Sequence, residues 1–243
     1  MRDSETSGLI VRLDTIGVLT EVDREIIRGL PIKVQVLERG QAAAADGDAT
    51  QHSCLLISGF MHRFKTLQDG RRQILSFHVP GEIPDLQSLY IDKMDHTLAA
   101  TVTSRVGFVA HTDLIAAIRT SPNLMDLLWR ETLIDAAIFR MWMVMLGQRP
   151  AEERMSHLLC ELYTRLDAIG HAPEQRYRLP LTQVDLADAL GLSTVHTNRT
   201  LQELRSAGLI EFEQRQLTIL DWPRLQAVAQ FDPSYLHLRA RGG

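Results

Sequence analysis

The sequence predicts an α+β protein in which a strand-rich N-terminal half precedes a helical C-terminal half. Between Val34 and Val109, glycines recur about every eleven residues and separate short apolar segments, a pattern typical of a β-sandwich or barrel. After Ser121, apolar residues recur at three- and four-residue steps, which is the period of helices. A β-roll is one form of the predicted β domain, and a β-sandwich that binds no ligand is the alternative.

Composition limits the class of protein. The chain has 243 residues, of which 45% are hydrophobic and 23% charged, so it is long enough for two globular domains. No apolar run reaches the length of a membrane span, and the polar start of the chain does not resemble a signal peptide. We therefore expect a cytoplasmic protein with no membrane partner. Cys54 and Cys160 are too few for a disulfide framework or a four-cysteine cluster. Each is expected to be a buried small hydrophobe, with a redox role as the alternative.

The predicted strands are separated by turns. They cover residues 54–57, 60–64, 73–77, 101–103 and 106–109. Asp69 and Gly70 form the clearest hairpin turn, because an Asp-Gly pair suits the backbone of a tight β-turn.

Residues 182–204 predict two short helices that cross at a tight turn. Thr182 and Asp185 suit the start of the first helix, Gly191 suits its end, and Ser193 suits the start of the second helix. The first helix has an apolar face, and the second is expected to turn Thr197, Thr200, Leu201 and Leu204 inward. This is the geometry of a helix-turn-helix, with an ordinary helical hairpin as the alternative.

The outward side chains of the second helix are of the types that read DNA bases. Arginine recognises guanine, Asn and Gln recognise adenine, and Val or the Thr methyl group contacts the thymine methyl. His196 either touches a phosphate or packs on the turn, and we favour packing. The residues predicted to lie at DNA are Ser193, Thr194, Val195, His196, Asn198, Arg199 and Gln202. Alternating apolar and polar residues over 210–219 predict a two-stranded wing, which favours the DNA-binding interpretation.

DNA binding is favoured by the positions of the arginines and not by the net charge of the chain. The net charge is −4, which does not favour nucleic-acid binding overall. No lysine occurs after Lys93, so phosphate contacts in the C-terminal part must come from arginine, backbone amides and small polar side chains.

A long helix is predicted over residues 121–147, with Ser121 as cap and Pro122 at its first position. It carries two apolar strips, and we assign one to the β domain and the other to a second subunit, as in a coiled coil. The strip assigned to the dimer interface consists of Leu127, Ile134, Ile138, Met141 and Met145. The second strip consists of Leu124, Leu128, Leu133, Ala137 and Val144. Arg149 and Pro150 end the helix and form the predicted hinge.

Three further elements are predicted after the hinge. Residues 151–166 form a helix with a one-sided apolar stripe, residues 177–179 a short strand, and residues 221–228 a last helix capped by Asp221. The tail 231–238 is too apolar to be a free end, so we expect it to pack on the protein.

The chain resembles the Crp/Fnr superfamily of bacterial regulators. The residues at the spacing of that family are Leu186-Ala187, Gly191-Leu192-Ser193, Arg199, Leu201, Leu204 and Gly208-Leu209-Ile210. The resemblance implies an N-terminal double-stranded β-roll of jelly-roll type at 1–120, a dimerisation helix at 121–148 and a C-terminal winged helix-turn-helix at 149–243. It implies a homodimeric regulator that binds double-stranded DNA at an inverted repeat, with RNA polymerase as a further candidate partner.

The same resemblance locates an effector pocket in residues 80–99. Its expected residues are Glu82, Asp85, Leu86, His96 and Thr97. Cyclic-nucleotide binders of the family carry Gly-Glu where Asp85-Leu86 stands and Arg-Ser where His96-Thr97 stands. Since leucine cannot accept from a ribose hydroxyl and a neutral histidine cannot replace arginine at a phosphate, we expect no tight binding of cyclic AMP.

Other sensor chemistries have no supporting motif. Residues 1–53 contain no cysteine for an iron–sulfur cluster, and no histidine has the spacing of a haem site. The small-molecule effector and any cofactor are therefore left unidentified. An enzyme is not expected, because no nucleophile elbow, phosphate loop or zinc motif occurs. The remaining alternative is a small-molecule-binding regulatory or carrier protein on a cyclic-nucleotide-type roll.

Overall fold

The computed structural model describes residues 3–239, so Met1, Arg2 and residues 240–243 of the predicted end domains lie outside the described residues. The chain divides into two compact units. The first contains residues 3–65 and Ser76–Ala136, together with Arg239; the second contains Thr66–Leu75 and Ala137–Leu238. The division of the sequence into 1–120, 121–148 and 149–243 remains a prediction.

Two helices that were not among the predicted elements precede the strands. They are α1 (Asp3–Asp14) and α2 (Glu21–Arg28). A capping box marks the start of α2: the Thr20 side chain accepts from the Asp23 amide, and Asp23 Oδ2 accepts from the Thr20 amide at 2.8 Å. The Thr-x-x-Asp spacing at Thr20 and Asp23 is therefore a sequence signal for the start of α2.

The strands form a roll of two antiparallel sheets. They are β1 (Lys33–Leu37), β2 (Ala42–Ala44), β3 (His52–Ser58), β4 (Met61–Thr66), β5 (Arg72–His78), β6 (Thr97–Ala100) and β7 (Ser104–Ala110). One sheet has the order β1-β7-β3 and the other β2-β6-β4-β5. Their inner faces meet in an apolar core that includes Cys54, Leu56, Met61, Leu98 and Val106. The predicted α+β class and β-roll are thus confirmed.

One predicted strand is wrong in position. The strand that precedes β7 covers Thr97–Ala100, whereas residues 101–103 form the turn between them. The turn follows because Thr101 donates its amide to Phe60 O at 2.8 Å and Ser104 Oγ donates to Val102 O at 2.7 Å. The hairpin predicted at Asp69-Gly70 is present between β4 and β5, with Gly70 at φ +83°.

The first helix of the C-terminal half, at His111–Thr120, was not predicted, whereas the helices that follow it are in the predicted order. The helices of this half are α3 (His111–Thr120), α4 (Pro122–Gln148), α5 (Ala151–Ala168), α6 (Gln183–Leu190), α7 (Thr194–Ser206) and α8 (Trp222–Ala229). Ser121 Oγ accepts from the Leu124 amide at 3.1 Å, which confirms the predicted cap of α4. Three strands, β8 (Arg176–Arg178), β9 (Ile210–Glu213) and β10 (Gln216–Ile219), form the sheet β8-β10-β9 that contains the predicted wing.

Helix α5 is the centre of the second unit. The predicted stripe Met155, Leu158, Leu159, Leu162 and Leu166 is buried, and α6, α7 and α8 contact the helix. The expected one-sidedness is wrong, because Ser156, His157, Glu161 and Arg165 on its other faces are buried too. The tail also packs as expected: Phe231 and Leu236 are buried. None of the helices between residues 3 and 239 is both long and apolar enough to cross a membrane.

Candidate nucleic-acid interface and sensor site

Helix α6 begins and ends where the sequence predicted. Thr182 Oγ1 accepts from the Asp185 amide at 3.1 Å, and Asp185 Oδ2 accepts from the Thr182 amide at 2.9 Å, which forms a capping box. Gly191 ends the helix in the left-handed conformation at φ +62°, which glycine adopts without steric cost. The amide of Leu192 then bonds to Ala187 O at 3.0 Å, so the chain turns sharply into the next helix.

Helix α7 separates an inner face from an outer face. Ser193 Oγ caps it by accepting from the His196 amide at 3.2 Å. Thr197, Thr200, Leu201 and Leu204 are all buried, as predicted for the inner face. The outer face exposes the residues predicted to lie at DNA, namely Ser193, Thr194, Val195, Asn198, Arg199 and Gln202, whereas His196 is half-buried.

Two of the outer side chains are free to meet a ligand. Val195 is 79% exposed, although burial of its apolar surface would be favourable. The Arg199 guanidinium lies 3.7 Å from Glu203, and both side chains are exposed, so this ion pair is weak. A base or phosphate can displace it at little cost.

Two arginines beside the wing were not singled out from the sequence. The wing turns at Gln214 and Arg215, with φ values of +49° and +64°, as in a tight hairpin. Arg215 O accepts from the Leu179 amide at 2.9 Å, which places the exposed Arg215 next to the exposed Arg178. The absence of lysine in this half was the signal that such arginines must supply phosphate contacts.

The expected effector residues lie in the interior of the roll. Glu82, Asp85, Leu86 and His96 are buried, and Thr97 is half-buried. Asp85 Oδ1 accepts from the Cys54 amide at 2.8 Å, and burial raises the pKa of Asp85 to about 7. Glu82 Oε2 is 3.0 Å from His78 Nδ1, and burial followed by the Arg63 cation lowers the pKa of His78 to about 4.

His96 is a poor phosphate ligand in this setting. Its Nδ1 atom is 2.6 Å from the Asp95 carboxylate, and its Nε2 atom is buried without a hydrogen-bond partner among the described residues. Burial, followed by the charge of Arg63, lowers the pKa of His96, so the ring is neutral at pH 7.

Arg63 is a buried cation in this interior that no sequence pattern singled out. Its Nε donates to Pro84 O at 2.9 Å, and its Nη1 donates to Asp135 Oδ2 on α4 at 2.6 Å. A second ion pair joins Arg12 to Glu131 at 2.9 Å. No sequence spacing could reveal these pairs, because Arg63 and Asp135 are far apart in the chain.

These groups do not fit a cyclic nucleotide. The Asp85 carboxylate already accepts a backbone amide, Leu86 offers no acceptor, and the Arg63 charge is balanced by Asp135. We therefore assign no bound nucleotide to the roll. Among the described residues, no group of three or more metal-ligating side chains occurs.

The two cysteines lie among buried side chains. Cys54 and Cys160 are both buried, and burial raises the pKa of each thiol. A thiol with a raised pKa is a weak nucleophile, and the expectation of two buried small hydrophobes is confirmed.

The predicted dimer seam is largely covered by the chain itself. Leu127, Ile134, Ile138 and Met145 are buried in the single chain, and Met141 is half-buried. The second predicted strip is divided: Leu124, Leu128 and Ala137 are buried, whereas Leu133 and Val144 are exposed. The predicted dimer interface stays a prediction. These buried side chains offer little surface to a second chain, and another face of α4 is less covered.

That face, called here the α4 seam, has the spacing of a coiled coil. It consists of Met125, Trp129, Thr132, Ala136, Phe139, Met143 and Leu146, at alternating steps of four and three. None of the seven is buried. The sequence could not isolate this face, because α4 has apolar residues on every side.

Comparisons with known proteins agree with this architecture. Residues 34–121 match a cyclic nucleotide-binding domain family, and residues 153–228 match a Crp-like helix-turn-helix domain family. The chain is 27% identical over 229 residues to the transcriptional activator protein FnrA of Stutzerimonas stutzeri, covering 94% of this chain and 91% of that protein. It is 29% identical over 192 residues to the nitrogen fixation regulation protein FixK of Bradyrhizobium diazoefficiens, covering 78% and 79%.

A solved structure has the same fold. The structure of FixK2 from Bradyrhizobium japonicum matches with a TM-score of 0.74 and 25% identity, covering 82% of this chain and 98% of that one. The relatives named above are transcription regulators and not enzymes. The chain belongs to the Crp/Fnr superfamily of transcription regulators.

Proposed function

We propose that this chain acts as a homodimer that reads an inverted-repeat DNA site with two copies of α7. The observation that carries the proposal is the outer face of α7, where Val195, Asn198, Arg199 and Gln202 are all exposed above a fully buried inner face. A helix presented in this way by a preceding capped helix enters the major groove with its first turns at the base edges.

Each reading residue has a distinct role in this proposal. Arg199 would donate to guanine, Asn198 or Gln202 would pair with adenine, and Val195 would contact a thymine methyl group. Arg178 and Arg215 would contact phosphates and orient the domain without reading sequence. His196 is half-buried at the turn, which supports a packing role.

The dimer would form through the α4 seam. Two half-sites in neighbouring grooves need two recognition helices about one DNA turn apart, so the proposed site requires two copies of the chain. The uncovered faces of Met125, Trp129 and Met143 support this seam, since their exposure in one chain is unfavourable. As a DNA regulator the protein would act in the cytoplasm, and its relatedness to proteins named as activators supports RNA polymerase as a further partner.

Selection of bound fragments from random DNA tests the reading helix. We expect an inverted repeat from the wild type and an altered base pair in each half-site from Val195→Glu, which replaces a methyl contact with an acceptor for cytosine. Arg199→Ala should weaken specific binding by about 1–3 kcal/mol, whereas the exposed Arg119→Ala on α3 should leave it unchanged. A folded dimer without preference for any duplex would overturn the proposal.

The effector of the roll is proposed not to be a cyclic nucleotide. Calorimetry with cyclic AMP should show no binding at micromolar concentration, because Asp85 and Arg63 are already paired inside the roll. The salt dependence of DNA affinity separates a regulator from a carrier protein: affinity for a DNA ligand should fall steeply with added salt.

A further inference from the structure

One wall of the first unit contains an apolar pocket, called here the Trp129 pocket. It lies between a short 3₁₀ helix at Leu86–Leu89, the end of α3 and the first turns of α4, and its volume is about 570 Å³. Leu86, Leu89, Ile118 and Leu128 are among the side chains that line it. Pockets of this size and polarity are typical sites for an apolar group.

The rim of the pocket concentrates exposed hydrophobic side chains. Tyr90 is 74% exposed, Trp129 63%, Ile91 50% and Met125 49%, and all four line the same pocket. Contiguous apolar surface of this kind marks an interaction site, and tryptophan, tyrosine and methionine are enriched in interfaces between proteins.

The pocket is continuous with the α4 seam, because Met125 and Trp129 belong to both. In a parallel pair of helices, the two copies of Trp129 would meet at the two-fold axis. The next seam positions are Thr132 and Ala136, whose small side chains let the helices approach closely. Where two helices approach closely, bulky indole rings pack more readily beside the helix pair than between the helices.

We propose that the Trp129 pocket receives the partner's Trp129, so that the dimer contact extends from α4 onto residues 86–91 of the roll. This inference rests on the homodimer of the proposed function. The contact is reciprocal, as a two-fold interface requires, since each subunit contributes one indole and one pocket. The indole N–H needs an acceptor, and the pocket offers the Gln87 amide oxygen and the Asp126 carboxylate.

The pocket wall is held in place before the partner arrives. Ser88 N donates to Asp85 O at 2.8 Å, and Ser88 Oγ lies 3.0 Å from His111 Nε2. Asp85 in turn accepts from the Cys54 amide on β3. The segment that carries the expected effector residues Asp85 and Leu86 is therefore also the segment that contacts the partner, which links the roll interior to dimer stability.

Sedimentation measures the contact in full-length protein. Leu89→Glu places a charge in the pocket, and we expect it to weaken the dimer at least tenfold. Met143→Glu lies on the α4 seam far from the pocket and should also weaken the dimer, whereas Val36→Glu, on an exposed strand position, should not. Circular dichroism confirms that each variant is folded.

Fluorescence quenching then locates Trp129. Of the three tryptophans, Trp142 is buried and Trp222 half-buried, so acrylamide reports mainly on Trp129, and Trp129→Phe supplies the background. We expect strong quenching in the Met143→Glu monomer and protection in the wild-type dimer.

Each contrary result has one meaning. A Trp129 that is quenched as easily in the dimer as in the monomer overturns the pocket assignment. A dimer that Met143→Glu disrupts and Leu89→Glu does not also overturns it, while the homodimer of the proposed function survives. Native mass spectrometry that finds a small apolar molecule retained in a wild-type dimer with exposed Trp129 would assign the pocket to a ligand instead. A dimer that resists Met143→Glu contradicts the α4 seam itself.

Discussion

Protonation of His157 should destabilise the second unit between pH 6.5 and pH 4. The ring of His157 is fully buried on α5, and one of its nitrogens accepts a hydrogen bond while the other donates one. Arg149 Nη1 donates to Nδ1 at 3.0 Å, while Nε2 lies 3.0 Å from the Tyr235 hydroxyl. Because that hydroxyl donates to Glu161 Oε2 at 2.9 Å, Nε2 must carry the proton and Nδ1 must accept. A second proton on Nδ1 would face the Arg149 cation.

The structure sets the size of the effect. Burial, followed by the charge of Arg149, lowers the pKa of His157 from 6.5 to about 4. In this window the unfolded chain binds the proton and the folded chain does not, so stability is lost as the pH falls. Between pH 7.5 and pH 5.0 these pKa values correspond to a loss of about 2 kcal/mol in the free energy of unfolding.

The assay compares two chains at two pH values. Both compared chains carry Trp129→Phe, which removes the tryptophan signal of the first unit. One of them retains His157 and the other carries His157→Gln, and urea denaturation of each is followed by the fluorescence of Trp142 and Trp222. Other groups titrate in this range: His78 acts in the same direction, and Asp85, with its raised pKa, acts in the opposite one. Since both chains contain them, their contributions cancel in the difference.

Between pH 7.5 and pH 5.0, we expect the free energy of unfolding to fall by about 2 kcal/mol more in the chain that retains His157 than in the His157→Gln variant. Equal losses in the two chains would refute the reasoning. So would an NMR titration of the folded protein in which the pKa of His157 lies at or above 6.5.

Three further predictions concern single contacts of the second unit. Thr182→Ala removes the cap of α6 and should lower stability by about 0.5–2 kcal/mol, measured by thermal unfolding; no change would mean that the cap is dispensable. Gly191→Ala should cost about 1–2 kcal/mol, because its left-handed backbone is unfavourable for a residue with a Cβ, while Gly191→Asn should cost less. The nearest non-local atom to that Cβ is 3.7 Å away, so a larger loss would contradict a purely backbone origin. Tyr235→Phe removes the hydroxyl that His157 and Glu161 share, and it should lower the free energy of unfolding by about 1–3 kcal/mol. An unchanged midpoint of urea denaturation would contradict this prediction.

Local signals predicted the reading domain well. The caps at Thr182 and Ser193, the stop at Gly191 and the wing turn act over three or four residues, and the structure confirms each of them. The N-terminal helices were missed although Thr20 and Asp23 carried the same kind of signal. The strand expected at 101–103 failed because a turn between two strands can carry β-branched residues without pairing.

The ion pairs inside the first unit and the exposed face of α4 could not be predicted from local sequence signals. Arg63 balances Asp135, and Arg12 balances Glu131, across long stretches of chain. The faces of α4 are a similar case, since its apolar residues surround the helix and only packing shows which of them the chain covers.

The order of the elements from the long helix to the wing, the helix caps of the reading domain and the chemistry of the reading face follow from the sequence alone, because short-range backbone geometry and side-chain type determine them. Tertiary structure alone decided which side chains pair inside the roll and which face of the long helix remains for a partner. The physical reason is that burial and ion pairing depend on residues brought together from distant parts of the chain, and no periodicity within one segment records that meeting.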